Sequence, residues 1–422
     1  MEHIKIPDGF TFNVGDVYDF SNVLSFFDWD IQTKDDFLID MTSCNSASYQ
    51  AMSLIILYSL YLKTKGHRVD FNITQNPHGL SNMWRRVGAN GLFHVANDEN
   101  KGFRHSFDKP LFFIRDKNSF TKAIDSVKNY TTTLGVEYEK TLRYIISELF
   151  YNTLEHGTSQ HKISYTKRIP SLVQFCWYKT RNEIEFIVAD LGIGIKKHLE
   201  QNHLPFERDT DAIIEALKPN VSGTFGVQAP YTSKDNAGMG LYISNNIVKR
   251  LRSDMYIVSG NGTVHISPTD ITHKSNTFKW PGTFVVVKIR IQNVERFVYE
   301  TIISEIREEA DLEIKEKSEM QKQEEHNLSI QNYFGENAEI KSEAISYREK
   351  YLLTIAASRK TLILNFENVS YSPHSFLNAL LASVIRTYEK AGCNPYKKIK
   401  IVNAKSDIRE TIDYILNENT EK

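Results

Sequence analysis

The chain has 422 residues, long enough at roughly 100–200 residues per domain for two to four domains with cores of their own. Apolar residues make up 41% and charged residues 24%, which excludes wholesale disorder. Lys plus Arg total 51 against 52 Asp plus Glu, a net charge of −1, so there is no global positive field to gather nucleic acid or an anionic membrane.

The N-terminus has no apolar segment behind a basic start, so no signal peptide is expected. A buried strand is predicted over 36–41. A polar turn holding Ser46 and Ser48 follows it, then an apolar helix over 47–65 stopped by Gly66, then a strand over 68–73. The apolar core of that helix is too short for a membrane span, which needs roughly 20 residues. Trp84, Arg85 and Arg86 in the next short helix read as packing, not as a nucleic-acid patch. Helices are predicted over 119–134 and 138–156, the second with Leu142, Ile145, Ile146 and Leu149 on one face. A strand over 185–189 ends in a Gly-rich turn, and residues 219–240 form a long Gly-, Ser- and Asn-rich loop. A helix over 241–251 and an alternating strand over 282–291 follow. An acidic helical linker comes next. The last segment repeats the first: a strand over 361–366, a turn holding Ser372 and Ser375, a helix over 376–391 stopped by Gly392, and a strand over 400–402. Cys44, Cys176 and Cys393 are odd in number and far apart, and the histidines lack metal-ligand spacing. Neither a disulfide framework nor a zinc site is expected, and the setting expected is cytoplasmic.

Four elements of the middle segment carry the chemistry. Glu148, Asn152 and His156 are spaced by four, so they form one polar stripe on a helix that Gly157 follows. An Asn side-chain oxygen can ligate Mg²⁺, and a carboxylate one turn away can take a proton from a hydroxyl attacking a phosphate. Asp190 closes a strand and precedes Gly192 and Gly194, giving an acceptor for an adenine amino group beside backbone that a ligand can approach closely. Neither a Walker A loop nor a GxGxxG dinucleotide motif is present. Gly238 and Gly240, with Leu241 beside them, open a helix whose N–H groups suit phosphate oxygens; Lys234, or the serines and threonines near it, could approach the γ-phosphate when the loop closes. Gly282 and Thr283 start the last strand.

In order and spacing these elements resemble the GHKL (Bergerat-fold) ATPase superfamily, which includes gyrase-type ATPases, histidine kinases and MutL. The pairing of Glu148 with Asn152, His156 and Gly157 is most similar to anti-sigma-factor serine kinases. The resemblance implies an α/β sandwich that binds ATP and Mg²⁺, with Glu148 as base, Asn152 at the metal, Asp190 on adenine, and residues 219–240 as a lid. The flanks resemble STAS-like α/β domains, in which a serine at a helix start accepts phosphate; the matching serines are Ser46, Ser48, Ser372 and Ser375. The expected layout is a STAS-like segment over 1–100, the ATP-binding domain over 101–300, a charged helical linker over 301–335 and a second STAS-like domain over 336–422. The expected function is ATP hydrolysis, or phosphate transfer to a protein serine, in a signalling or stress pathway with a protein partner. An ATP-gated dimerising switch in a prokaryotic anti-phage or stress-sensing system and a non-catalytic ATP-sensing scaffold stand as alternatives.

Overall fold

The computed structural model describes residues 1–14, 17–74, 79–87, 110–131, 135–155, 162–164, 167–200, 206–221, 239–291, 298–322 and 325–420. Strand β1 (Glu2–Lys5) pairs in parallel with β2 (Phe37–Asp40), and β2 in parallel with β3 (Val69–Asn72) across helix α1 (Tyr49–Thr64). Ser48 caps α1 by accepting the Ala51 N–H at 3.1 Å, and Gly66 stops the helix at φ +94°. Every residue of α1 from Tyr49 to Leu62 is buried. A helix buried all round needs cover on every side, and one small sheet cannot supply it.

The rest of the cover comes from the middle of the chain. Helix α2 (Gly79–Arg86) adds Trp84, whose buried ring lies 4.7 Å from Phe71. Beyond it come β4 (Leu111–Ile114), α3 (Lys117–Thr131), α4 (Val136–Glu155), β5 (Ser171–Tyr178) and β6 (Glu183–Ala189). The short α5 (Ile195–Leu199), α6 (Asp209–Ala216), α7 (Gly240–Arg250), β7 (Asp254–Ile266) and β8 (Ile271–Arg290) follow. The five strands form one sheet in the order β7-β8-β6-β5-β4, antiparallel throughout.

Alternation along these strands sorts the side chains between two faces. Leu172, Cys176, Ile187, Ala189, Val258, Phe284 and Val286 point to one face and share a core with Phe10, Phe12, Phe27, Trp29 and the residues of α1. Helices α4 and α7 pack on β6 and β7. All seven residues of β6 are buried, as a strand covered on both faces requires. Residues Met1–Arg307 therefore form one compact unit that holds the segments expected as 1–100 and 101–300; the expected boundary itself lies outside the described residues.

Covering the outer face buries two carboxylates that alternation would otherwise leave in water. Glu185 accepts the Tyr18 hydroxyl at 2.5 Å, and Lys288 lies 3.3 Å from Glu183, which also faces Arg181 at 3.6 Å. Burial first, then the neighbouring Glu183, raises the Glu185 carboxyl above its ordinary value; the Tyr18 hydrogen bond, Lys288 and Arg181 oppose this. A raised folded-state value means that the stabilising contribution is complete below the ordinary value of 4.5 and is lost as pH rises through the folded value. Glu185→Gln keeps an acceptor for Tyr18 and removes the buried charge. Its melting temperature is expected to exceed the wild type's by about 2–4 °C at pH 8, with the gap closing near pH 4.5. An equal gap at both pH values in thermal melts would contradict this account.

The second unit, Glu308–Lys422, begins inside the charged helix α8 (Tyr299–Lys322). Its first strand, β9 (Glu325–Ser329), lies within the range expected as linker. Only alternate residues of β9 are buried, so its apolar signal is short. Helix α9 (Lys341–Tyr347) runs on through a π-turn at Arg348–Leu352 into Leu353–Ala357. Strand β10 (Thr361–Asn365), helix α10 (His374–Lys390), strand β11 (Ile399–Val402) and helix α11 (Ser406–Asn419) complete the unit. Its sheet runs β9-β10-β11, all parallel. As in β1-β2-β3, a helix stopped by a glycine, here Gly392 at φ +73°, joins the second and third strands. Among the described residues, no helix is long and apolar enough to cross a membrane.

Candidate nucleotide site

One cluster forms where β6 ends. Asp190 is 5% exposed, and its Oδ1 accepts the Gly192 N–H at 2.7 Å and the Thr283 N–H at 3.2 Å. Its own N–H donates to the Thr283 carbonyl at 2.8 Å, so the β6–β8 ladder runs directly into the site. Two backbone donors on one carboxylate oxygen fix the plane of the group. Gly282 is required here: a Cβ would lie 2.6 Å from Asp190 Oδ1 and 2.7 Å from the Gly192 nitrogen. Gly194, at φ +78°, turns the chain into α5.

The second cluster lies between α4 and α7. Tyr144, Glu148 and Asn152 follow one another by single turns of α4, and all three are half-buried. The Glu148 carboxylate lies against Gly240, the first residue of α7. A Cβ on Gly240 would sit 3.1 Å from Glu148 Cδ and closer still to Oε2, so only glycine admits this approach. Met239, at the N-cap of α7, gives the helix no side-chain cap, and the positive end of the helix dipole faces the Glu148 carboxylate. Leu241 follows at the same half-buried end. Burial, then Glu148, to which it hydrogen-bonds, raises the Tyr144 hydroxyl far above its ordinary value. Tyr299, whose ring lies 6.1 Å from that of Tyr144, is also raised, chiefly by burial and with Glu148 contributing.

The structure thus brings Glu148 to Gly240, and Asp190 to Gly192, Gly282 and Thr283. His156, Gly157, Lys234, Gly238 and most of the expected lid lie outside the described residues. Of the four serines, Ser48 is the α1 cap, Ser372 is 6% exposed and donates to the Ala338 carbonyl at 3.1 Å, and Ser46 and Ser375 are exposed. Among the described residues, no His, Cys, Asp and Glu group could hold a metal ion by itself.

Two site residues carried no sequence signal. Ser259, on β7 opposite Thr283, is 2% exposed; its hydroxyl donates to the Gly282 carbonyl at 3.0 Å and accepts the Ile195 N–H at 2.9 Å and the Thr283 hydroxyl at 3.2 Å. Trp280 is fully buried and donates its indole N–H to the Asp190 carbonyl at 2.8 Å. Only the β7–β8 pairing register places them, and register is a long-range property.

A comparison with curated proteins gives no match. The family model described as "Histidine kinase-, DNA gyrase B-, and HSP90-like ATPase" matches residues 137–292. The layering over that stretch, helices on one face of an antiparallel sheet, is consistent with a Bergerat α/β fold, and residues 137–292 are a domain of this ATPase type.

Proposed function

We propose that the first unit binds ATP with Mg²⁺ and that the protein uses it in regulation, hydrolysing it or transferring its γ-phosphate to a protein serine. The observation that carries this reading is the placement of Glu148 against Gly240 at the start of α7, within the stretch that also holds the buried, doubly hydrogen-bonded Asp190. Asp190 suits the exocyclic amino group of adenine, because an ionised carboxylate only accepts hydrogen bonds. The start of α7 offers N–H groups and a positive dipole end to phosphate oxygens. Glu148 stands at that same end and takes the proton of the attacking hydroxyl, while the Tyr144 hydroxyl orients its carboxylate. Bound Mg²⁺ would neutralise charge on the phosphates, and Asn152, one turn beyond Glu148, is the residue that would hold it.

The repeated strand–turn–helix–glycine–strand pattern supports reading both flanks as STAS-like, with a protein partner or second copy as their counterpart. Among the four candidate acceptors, exposure favours Ser46 and Ser375, and Ser375 sits in the first turn of α10, where the helix dipole would stabilise a phosphoserine. The test is to incubate the full chain with Mg²⁺ and γ-labelled ATP and count label in free phosphate and on protein. Label on protein that maps to Ser46 or Ser375 supports transfer. Free phosphate alone supports hydrolysis and an ATP-driven switch. Label in neither, with ATP bound, supports an ATP-sensing scaffold and sinks the catalytic role.

A further inference from the structure

The turn from Asp190 to Ile195 is held at both ends by side chains from the neighbouring strands. At its start the Trp280 indole N–H donates to the Asp190 carbonyl at 2.8 Å. At its end the Ser259 hydroxyl accepts the Ile195 N–H at 2.9 Å. The remaining bonds of Ser259 run to the Gly282 carbonyl at 3.0 Å and the Thr283 hydroxyl at 3.2 Å, which uses its one donor and both lone pairs. Such a hydroxyl has one orientation, and it ties the turn to the strand that carries Thr283.

Trp280 is held just as firmly from the other side. Its ring centroid lies 5.1 Å from Trp29, 5.5 Å from Phe27 and 5.5 Å from Phe284, and Trp29 donates its own indole N–H to the Lys279 carbonyl at 3.0 Å. The Tyr61 hydroxyl of α1 donates to the Trp29 carbonyl at 2.7 Å. A continuous buried chain therefore joins the N-terminal segment to the backbone of Asp190.

We infer that Trp280 and Ser259 are positioning residues that together set the adenine selectivity of the site, with Phe27 and Trp29 of the N-terminal segment as the backing of Trp280. The inference rests on the proposed reading of Asp190 as the adenine acceptor. A carboxylate discriminates adenine from guanine only while its oxygens stay within hydrogen-bond range and plane of the base, and a turn freed at either end loses that alignment.

The test uses Ser259→Ala and Trp280→Phe in the full chain, with ATP and GTP as competing ligands and a thermal melt of each variant. Each variant removes one hydrogen bond that holds the Asp190–Ile195 turn, and each is expected to weaken ATP binding by about ten-fold and to lower the ATP-to-GTP preference by a similar factor. A residue that only stabilised the fold would lower the melting temperature and leave that preference unchanged. Folded variants with the wild-type preference overturn the inference. If Trp280→Phe does not fold, the preference of Ser259→Ala decides. If the wild type binds both nucleotides without preference while Asp190→Ala abolishes binding, the site stands and its adenine reading fails, taking the inference with it. If the wild type binds neither nucleotide, the nucleotide reading itself fails.

Discussion

Replacing Asp190 by asparagine is expected to weaken ATP binding at least about a hundred-fold while the domain stays folded. Oδ1 is held by the N–H groups of Gly192 and Thr283, at 2.7 and 3.2 Å. An asparagine must place its carbonyl oxygen there, because an amide NH₂ would face two donors. The NH₂ group is then forced into the position of the second carboxylate oxygen and meets the adenine amino group donor to donor. A buried donor pair of this kind costs about 1–3 kcal/mol beyond the lost hydrogen bond. The side-chain shape and the internal bonds of the turn survive, so a thermal melt should change little. Equilibrium binding checks the outcome, and wild-type affinity in Asp190→Asn would remove Asp190 from the nucleotide site.

Glu148→Gln is expected to lower turnover by about 10²–10⁴-fold, the range for removal of a general base, with ATP affinity changed less than about three-fold. The amide keeps the volume beside Gly240 and loses the negative charge and, with it, the ability to take a proton. Gly240→Ala serves as its steric counterpart. The added methyl group occupies the space of the Glu148 carboxylate, 3.1 Å from Cδ and nearer to Oε2, and must push it away from α7 or shift the start of the helix. Both turnover and affinity should therefore fall in Gly240→Ala, whereas Glu148→Gln separates them. Steady-state turnover measured beside equilibrium binding distinguishes the two patterns, and unchanged turnover in Glu148→Gln would end its assignment as the base.

Local signals of these parts were strong in the sequence. The polar stripe of Glu148 and Asn152 depends only on helix period, and α4 spans Val136–Glu155 against a predicted 138–156. Asp190 stands at a strand end because an apolar run stops there, and Gly66 and Gly392 mark helix ends through their positive φ. Long-range pairing was not legible. Alternation in β6 places Glu183 and Glu185 on a face that a reader would assign to solvent, yet the aromatic N-terminal segment covers that face and buries them. The apolar character of α1 on every side was the available clue, since a helix without a polar face has to lie between two layers. Ser259 and Trp280 are single residues whose roles exist only once β7 and β8 pair, with Ser259 opposite Thr283 and Gly260 opposite Trp280. Strand β9 escaped notice because only His326 and Leu328 of its five residues are buried.

The most direct measurement is a calorimetric titration of Mg²⁺ and ATP into the full-length wild-type chain, repeated with GTP and with Asp190→Asn. The account predicts saturable one-site binding of ATP, weaker binding of GTP, and loss of the ATP signal in the variant. Absence of ATP binding to the folded wild-type chain, or equal binding by Asp190→Asn, would contradict it.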